Sequence, residues 1–228
     1  MKLTNIIVSE KKWNKDLISK LENQYKNTDW ILIDHRDDFT CNFLGKRKID
    51  KIFIPHWSYI IPESIYSNYE CIVFHMTDLP FGRGGSPLQN LIVRGHKETQ
   101  ISALRVVKEL DAGPIYLKRP LSLTGSATEI FTSANDMIER MILEIIAKDL
   151  KPKKQAGEIV TFKRRTPKES NLKEIEDLEK VFDYIRMLDA EGYPHAFLET
   201  SALKFEFTNA NQNTDEEIIT AHVRIFKK

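Results

Sequence analysis

The sequence has only two cysteines, Cys41 and Cys71, too few to form a disulfide framework. It also lacks any apolar run near the roughly 20 residues of a membrane-spanning helix, so we expect no membrane partner. The N-terminal stretch turns charged after one short apolar patch, unlike a secretory signal. These absences predict a reduced, cytoplasmic protein.

Neither sign of charge is in excess. The chain holds 34 Lys and Arg against 33 Asp and Glu, which leaves a net charge of +1. Because so small a net charge gives no general attraction to phosphate, we expect no nucleic-acid partner. A hydrophobic content of 41% over 228 residues is enough to bury a core without disulfides or a structural metal.

Common phosphate-binding and metal-binding motifs are missing as well. No glycine follows the first predicted strand, so the dinucleotide fingerprint is absent. The glycine-rich stretch at 81–86 lacks the Gly-Lys-Ser/Thr ending of a P-loop. The six histidines show no H-x-x-x-H spacing, and the chain has no C-x-x-C, so we expect no metal.

Short apolar stretches predict buried strands, and polar periodic stretches predict helices between them. This alternation predicts a largely parallel α/β sheet. The predicted strands cover 5–9, 30–33, 50–55, 70–74, 101–107 and 115–123, and the predicted helices cover 11–25, 88–93 and 127–150.

The character of the sequence changes after a basic connector that contains proline and glycine. Beyond it, the pattern predicts a charged helix over 171–188 and two strands, 196–207 and 217–226. We therefore predict two domains, a main α/β domain over 1–160 and a small α+β appendage of a helix plus a β-hairpin over 161–228.

The residues best suited to chemistry follow the fourth predicted strand, in the segment FHMTDLPFGRGGSP. His75 lies directly after that strand, and ligands gather at the carboxyl ends of strands in open α/β sheets. Gly84 and Gly85 either make a tight turn or let a ligand approach the backbone closely. Arg83 could hold an anion or form an ion pair, and Asp111 lies in a turn after another apolar run. Each residue is ambiguous when it is taken alone.

Taken in order, these segments resemble the folate-dependent formyltransferases, which include glycinamide ribonucleotide transformylase, methionyl-tRNA formyltransferase and the sugar N-formyltransferases. That family carries Asn-x-His-x-Ser-Leu-Leu-Pro, an Arg-Gly loop with a following Pro, Gly-x-x-x-Thr and Asp-x-Gly. This chain has VFHMTDLP, GRGGSP, GHKET and DAG. Segments 162–170 and 185–197 are similar to the paired arginines and the Tyr-Pro-x-Ala-Phe segment of the sugar and tRNA members. The resemblance implies the formyltransferase fold, with a Rossmann-like, mostly parallel sheet flanked by helices.

The resemblance assigns His75 and Asp111 to catalysis, and the first domain becomes the catalytic one. The family's catalytic asparagine stands two residues before the histidine, where this chain has Val73. We expect the amide of Asn90, in the helix after the glycine-rich loop, to replace it. His75 and Asn90 would donate hydrogen bonds to the oxyanion of the formyl group, and Asp111 would hold or relay a proton.

The resemblance also implies N10-formyltetrahydrofolate as formyl donor, without a metal. The residues expected to bind this cofactor are Trp57, Tyr59, Ile60, Ile61, Val106 and Leu110. The residues expected to bind the acceptor substrate are Phe81, Arg83, Gly84, Gly85, Ser86 and Tyr193.

Within the family, the segment FHMTDLPFGRGGSPLQNLI resembles the N-formyltransferases of pseudaminic acid biosynthesis. The expected acceptor is therefore a small-molecule nucleotide sugar, the amine of a UDP-linked 4-amino-4,6-dideoxy sugar. The alternatives are a methionyl-tRNA formyltransferase-like enzyme, a hydrolase of the same cofactor, and a non-catalytic module that binds folate or nucleotide sugar. Pairing of C-terminal hairpins in a homodimer is left open.

Overall fold

The computed structural model describes residues 3–11, 14–26, 28–213 and 215–228. Its strands are β1 (Thr4–Val8), β2 (Asp29–Ile33), β3 (Ile49–Ile54), β4 (Cys71–His75), β5 (Phe81–Gly84), β6 (Glu98–Arg105), β7 (Ile115–Ser122), β8 (Val160–Phe162), β9 (Ala196–Glu199), β10 (Leu203–Asn213) and β11 (Ile218–Lys227). Its helices are α1 (Lys15–Gln24), α2 (Cys41–Leu44), α3 (Glu63–Tyr66), α4 (Pro87–Val93), α5 (Ala127–Ala147) and α6 (Leu178–Arg186).

The main sheet has six strands in the order β2-β1-β3-β4-β6-β7. Strand β1 pairs in parallel with β2 and β3, and β3 pairs in parallel with β4. Strand β6 then runs antiparallel to β4. A mostly parallel sheet flanked by helices confirms the predicted fold class.

The centre of the main sheet is buried on both faces. Consecutive residues of β1 and β3, such as Ile6, Ile7 and Phe53, have no exposed surface. Strands that are covered on both sides need apolar residues at every position, which is why their sequences show continuous runs and no alternation. Cys71, at the start of β4, also lies in this core, and burial raises the pKa of its thiol to about 12.

The chain divides into two compact units. The first comprises residues 1–83, 100–120 and 134–161, and it contains most of the main sheet. The second comprises residues 84–99, 121–133 and 162–228. The predicted appendage falls in the second unit, which also takes in α4 and the start of α5. The division into domains at residues 160 and 161 stays a prediction.

The second unit contains an antiparallel sheet in the order β11-β10-β9. The predicted strand over 196–207 is interrupted by a turn in which the Thr200 amide donates to the Leu203 carbonyl at 2.9 Å. The predicted helix over 171–188 begins only after Asp177, whose carboxylate accepts from the Lys180 amide and caps it. A single-sequence pattern shows neither the turn nor the cap clearly.

Two other predicted elements differ at their ends. Part of the glycine-rich stretch forms β5, which pairs with β8. The helix predicted over 11–25 is observed as α1, which begins at Lys15, and residues 12 and 13 lie outside the described ones. Within the described part of the chain, no helix has the length and apolar character needed to cross a membrane.

Candidate active site

His75 ends β4 in the first unit, and its imidazole is buried. Its Nε2 atom lies 2.8 Å from the carbonyl oxygen of Gly82. Because a carbonyl oxygen only accepts hydrogen bonds, Nε2 must carry a proton and donate it. The hydroxyl of Thr77 donates to the same carbonyl oxygen at 3.3 Å. The strand end and the start of the glycine-rich segment are thus tied together at Gly82.

The segment between His75 and β5 is held in place by two neighbouring strands. Ser102 of β6 donates its hydroxyl to the Thr77 carbonyl at 2.8 Å and accepts from the Leu79 amide at 3.3 Å. Lys118 of β7 donates its ammonium to the carboxylate of Asp78 and to the Leu79 carbonyl. These contacts fix the backbone that follows His75.

Asp111 lies on the other side of the imidazole. Its Oδ2 atom is 3.6 Å from Nδ1 of His75, and the two side chains are 11% and 10% exposed. Asp111 adopts a left-handed φ of 52°, which aspartate tolerates better than most residues. Both ring nitrogens of His75 therefore face oxygen atoms, those of the Gly82 carbonyl and the Asp111 carboxylate.

The turn that carries Asp111 depends on Gly113. A Cβ atom at that position would lie 1.7 Å from the carbonyl oxygen of Arg105. The amide of Arg105 in turn donates to the Pro114 carbonyl at 2.9 Å. No other residue fits so close to a backbone oxygen, which gives the Asp-Ala-Gly segment a steric cause.

Gln155 connects this turn to Arg83. Its Nε2 atom donates to the carbonyls of Asp111 at 2.7 Å and Gly113 at 2.8 Å. Its Oε1 atom accepts from Nε and Nη2 of Arg83 at 3.1 and 2.7 Å. From the sequence, Gln155 is predicted only to lie in the basic connector. Its hydrogen bonds to backbone carbonyls cannot be predicted, because every residue has such a carbonyl.

The residues expected to bind the cofactor lie in the first unit. Trp57 and Val106 pack against one hydrophobic cluster, which also contains Ile61. Trp57 meets the ring of Tyr59 edge-on at 5.1 Å. Ile60 and Leu110 are 80% and 60% exposed. Binding of the cofactor by these residues stays a prediction.

Two of the residues expected to bind the acceptor, Phe81 and Arg83, lie on β5 in the first unit. Tyr193 lies in the second unit and stacks on Phe131 at 5.3 Å, and burial raises the pKa of its phenol. The remaining residues expected to bind the acceptor also lie in the second unit and are Gly84, Gly85 and Ser86.

Residues 84–86 pack against the end of β8 and the segment that follows it. A Cβ atom on Gly84 would lie 2.3 Å from the Phe162 carbonyl oxygen, and one on Gly85 would lie 2.5 Å from the Arg164 Cβ. Ser86 accepts from the Arg165 amide at 3.1 Å. Both glycines are therefore explained by close backbone packing, and their contact with a substrate stays a prediction.

Asn90 of α4 is buried in the second unit, and its amide is fully engaged. Its Nδ2 atom donates to the carbonyls of Gly85 and Lys163, both at 2.9 Å. Its Oδ1 atom accepts from Nη1 of Arg94 at 2.9 Å. For Asn90 to donate to an oxyanion, one of the two backbone hydrogen bonds would have to break. Its catalytic role stays a prediction.

Val73, at the position of the family's asparagine, packs partly buried against the main hydrophobic cluster. It lies two residues before His75 on β4, so both side chains point to the same face of the strand. Among the described residues, no group of three or more His, Cys, Asp and Glu could hold a metal ion.

Comparisons with known proteins relate this chain to formyltransferases. A family model described as the C-terminal domain of methionyl-tRNA formyltransferase matches residues 167–226. The solved structure of methionyl-tRNA formyltransferase from Clostridium thermocellum is 44% identical, with a TM-score of 0.95, over 99% of this chain and 100% of that one. Methionyl-tRNA formyltransferase from Rickettsia felis is 29% identical over 59% of this chain and 46% of that protein. The chain spans about half the length of the curated relatives it matches.

The 44% identity over the whole of the Clostridium thermocellum chain shows that this chain belongs to the formyltransferase family, as its motifs predict. The formyl donor of that family is N10-formyltetrahydrofolate, in agreement with the cofactor expected from the sequence.

The predicted acceptor is wrong. Both relatives described above are named methionyl-tRNA formyltransferase. The structure of a sugar N-formyltransferase from Shewanella is only 13% identical, with a TM-score of 0.68 over 97% of both chains, and so shares the fold alone. A nucleotide-sugar acceptor, a place in pseudaminic acid biosynthesis and the exclusion of a nucleic-acid partner are therefore overturned. Motifs that hold the formyl group are common to the family and do not report the acceptor.

Proposed function

We propose that this protein transfers the formyl group of N10-formyltetrahydrofolate to the amino group of methionine carried on tRNA. The observation that carries the proposal is the 44% identity with the Clostridium thermocellum enzyme over that enzyme's whole chain. The buried His75–Asp111 pair supports formyl transfer as the chemistry.

The apolar residues of the first unit fit the formyl donor. A pterin ring is planar and offers apolar faces with polar edges, which suit aromatic and aliphatic side chains. Trp57, Tyr59, Ile60 and Leu110 offer such side chains, and the last two are well exposed. When it is bound, N10-formyltetrahydrofolate supplies an activated formyl carbon. We propose these residues, with Ile61 and Val106, as its binding surface.

His75 would donate a hydrogen bond to the formyl oxygen as that oxygen gains negative charge. Its Nε2 proton is committed to the Gly82 carbonyl at 2.8 Å. The Nδ1 side faces Asp111 across 3.6 Å, beyond the usual 2.7–3.2 Å of an N–H···O hydrogen bond. We propose that Nδ1, when it carries a proton, donates it to the incoming oxygen. One such donor contributes roughly 3–4 kcal/mol to the barrier.

Asp111 would accept a proton from the attacking amine. Only 11% of the Asp111 side chain is exposed, so little water competes for its oxygens. The new C–N bond forms to the amine as the bond to the folate nitrogen breaks, and the proton lost by the amine ends on that nitrogen.

A local run of positive charge supports an acceptor with a phosphate backbone. Lys163, Arg164 and Lys168 are exposed in the second unit, and Arg165 lies between them in sequence. Residues 163–168 contain no acidic side chain. The net charge of the whole chain does not reveal this segment, because acidic residues elsewhere cancel its positive charge.

The test is a transfer assay with purified protein, N10-formyltetrahydrofolate and one of three acceptors: methionyl-tRNA, free methionine or uncharged tRNA. We expect formylmethionyl-tRNA only with the first, and a loss of about a hundredfold or more in kcat for His75→Asn. The same substitution at exposed His222 serves as the matched control. Release of formate without any formylated acceptor would reject transfer, and equal rates with free methionine would reject the tRNA acceptor.

A further inference from the structure

The side chain of Gln155 makes four hydrogen bonds within the first unit. Its Nε2 atom donates to the carbonyls of Asp111 and Gly113, and its Oε1 atom accepts twice from Arg83. All four lie between 2.7 and 3.1 Å. Gln155 lies in the irregular segment between α5 and β8. Helix or strand formation therefore does not explain why this position is a glutamine.

These contacts fix the direction of the Gln155 amide. Carbonyl oxygens only accept and a guanidinium only donates, so a flipped amide would place like partners against each other at both ends. The guanidinium is met by Oε1 in a fork, through Nε and Nη2 of Arg83. Gln155 is therefore matched to its neighbours at every polar atom.

The two carbonyls that Gln155 holds lie on either side of Ala112, in the turn that carries Asp111. The backbone of this turn also lies close to the Arg105 carbonyl, which leaves no room for a Cβ on Gly113. Asp111 itself has a left-handed φ of 52°, a conformation that needs support from its surroundings. Gln155 supplies that support through two backbone hydrogen bonds.

We propose that Gln155 is a positioning residue, which sets the carboxylate of Asp111 opposite His75 and anchors Arg83 to the same turn. This inference rests on the proposed function, because it assumes that the His75–Asp111 pair performs formyl transfer. Gln155 would touch neither substrate nor cofactor. Its effect would pass through the Asp111 backbone.

Two variants separate the two ends of the Gln155 amide. Gln155→Glu keeps an acceptor for Arg83 but loses both donors and brings a carboxylate against two carbonyl oxygens. Gln155→Met keeps the length of the side chain, adds no charge and loses all four hydrogen bonds. Lys154→Ala, at the exposed neighbouring position, is the matched control.

The experiment compares kcat, KM for the formyl donor and the pH profile of kcat for the full-length variants. For Gln155→Glu and Gln155→Met we expect kcat to fall about tenfold to a hundredfold. We expect KM within about threefold of the parent, and a pH profile of kcat that differs from that of the parent. Lys154→Ala should match the parent in all three. A role in stability alone would lower the melting temperature and leave kcat and its pH profile unchanged below that temperature, which would overturn the proposal.

A second readout needs no donor, acceptor or turnover. Imidazole NMR signals of His75, assigned by their loss in His75→Asn, should move in both Gln155 variants and stay in place in Lys154→Ala. Unmoved signals in a folded variant would overturn the proposal. If Gln155→Glu does not fold, the His75 signals of Gln155→Met provide the same test. If the parent protein transfers no formyl group but the His75 signals move, the proposed function fails and the positioning role of Gln155 stands.

Discussion

Nδ1 of His75 lies 3.6 Å from Oδ2 of Asp111, close enough for an ion pair and too far for an ordinary hydrogen bond. The opposite ring nitrogen is held at 2.8 Å by the Gly82 carbonyl. The imidazole is therefore fixed on one side, while the side that faces Asp111 keeps a small gap. In the proposed mechanism, Nδ1 is therefore the ring nitrogen that faces the formyl group.

The first prediction concerns the charge of Asp111. Asp111→Asn keeps the size of the side chain and removes the carboxylate, so the amine loses its proposed proton acceptor. We expect kcat to fall about a hundredfold to ten-thousandfold, measured as formyl transfer from N10-formyltetrahydrofolate. Asp136→Asn, with a side chain 54% exposed on α5, is the control and should change nothing. Equal activity of parent and Asp111→Asn would remove Asp111 from the mechanism.

The second prediction separates two roles of Asn90. Asn90→Ala removes the two donors that hold the Gly85 and Lys163 carbonyls, so we expect a loss of about 1–3 kcal/mol in the free energy of unfolding. If the amide also rotates to donate to the formyl oxygen, kcat falls about a hundredfold or more at temperatures where the variant is folded.

The control is Asn68→Ala, which removes one exposed hydrogen bond to the Ser64 carbonyl and should cost less than about 0.5 kcal/mol. Should folded Asn90→Ala retain the kcat of the parent, the catalytic assignment of Asn90 is wrong and its role is to join α4 to the segment after β8.

The third prediction tests the turn beside the site. Gly113→Ala would place a Cβ 1.7 Å from the Arg105 carbonyl oxygen, a contact that the backbone must relieve by moving. We expect a loss of about 3 kcal/mol or more in the free energy of unfolding, with reduced kcat because Asp111 shifts.

Gly95→Ala provides the contrast, since Gly95 has a left-handed φ of 79° and no atom within 4 Å of an added Cβ. That substitution should cost only about 1 kcal/mol, from backbone strain. Thermal or urea unfolding measures both variants, and equal losses would show that the close approach at Gly113 is not a constraint.

Much of the first unit follows from the sequence for a simple reason. Strands such as β1 and β3 are buried on both faces, so their apolar runs stand out from the polar segments around them. His75 and Asp111 are likewise predictable, because one ends a strand and the other opens a short Asp-x-Gly turn. Their proximity then follows from the resemblance to a family.

The parts that escaped prediction depend on contacts between distant segments. Gln155 bonds to carbonyls about forty residues earlier in the chain, and backbone oxygens look alike in any sequence. Asn90 offers an amide in the sequence, but only the structure shows its hydrogen bonds to Gly85 and Lys163. The predicted acceptor was wrong because it depended on likeness to one subgroup in motifs that the whole family shares. Net charge, which averages over the chain, also gave no sign of a local basic segment such as 163–168.

The last prediction concerns the pH dependence of stability through His56, which follows β3. Burial, with a smaller effect from the charge of Lys11, lowers the pKa of His56 to about 4, from an ordinary value of 6.5. Between these two values the unfolded chain binds a proton that the folded protein does not. Stability should therefore fall as pH drops from 7 towards 4, and His56 should contribute almost no slope above about pH 8.

The expected loss attributable to His56 is about 1–2 kcal/mol between pH 7 and pH 5. His56→Asn removes the titrating group and keeps a residue that tolerates the left-handed φ of 52°. Urea unfolding of both proteins at several pH values gives the two slopes, and their difference isolates His56 from the carboxylates. His222→Asn, at an exposed position on β11, should keep the slope of the parent. Identical slopes for the parent and His56→Asn would mean that His56 is protonated as readily in the folded protein as in the unfolded chain.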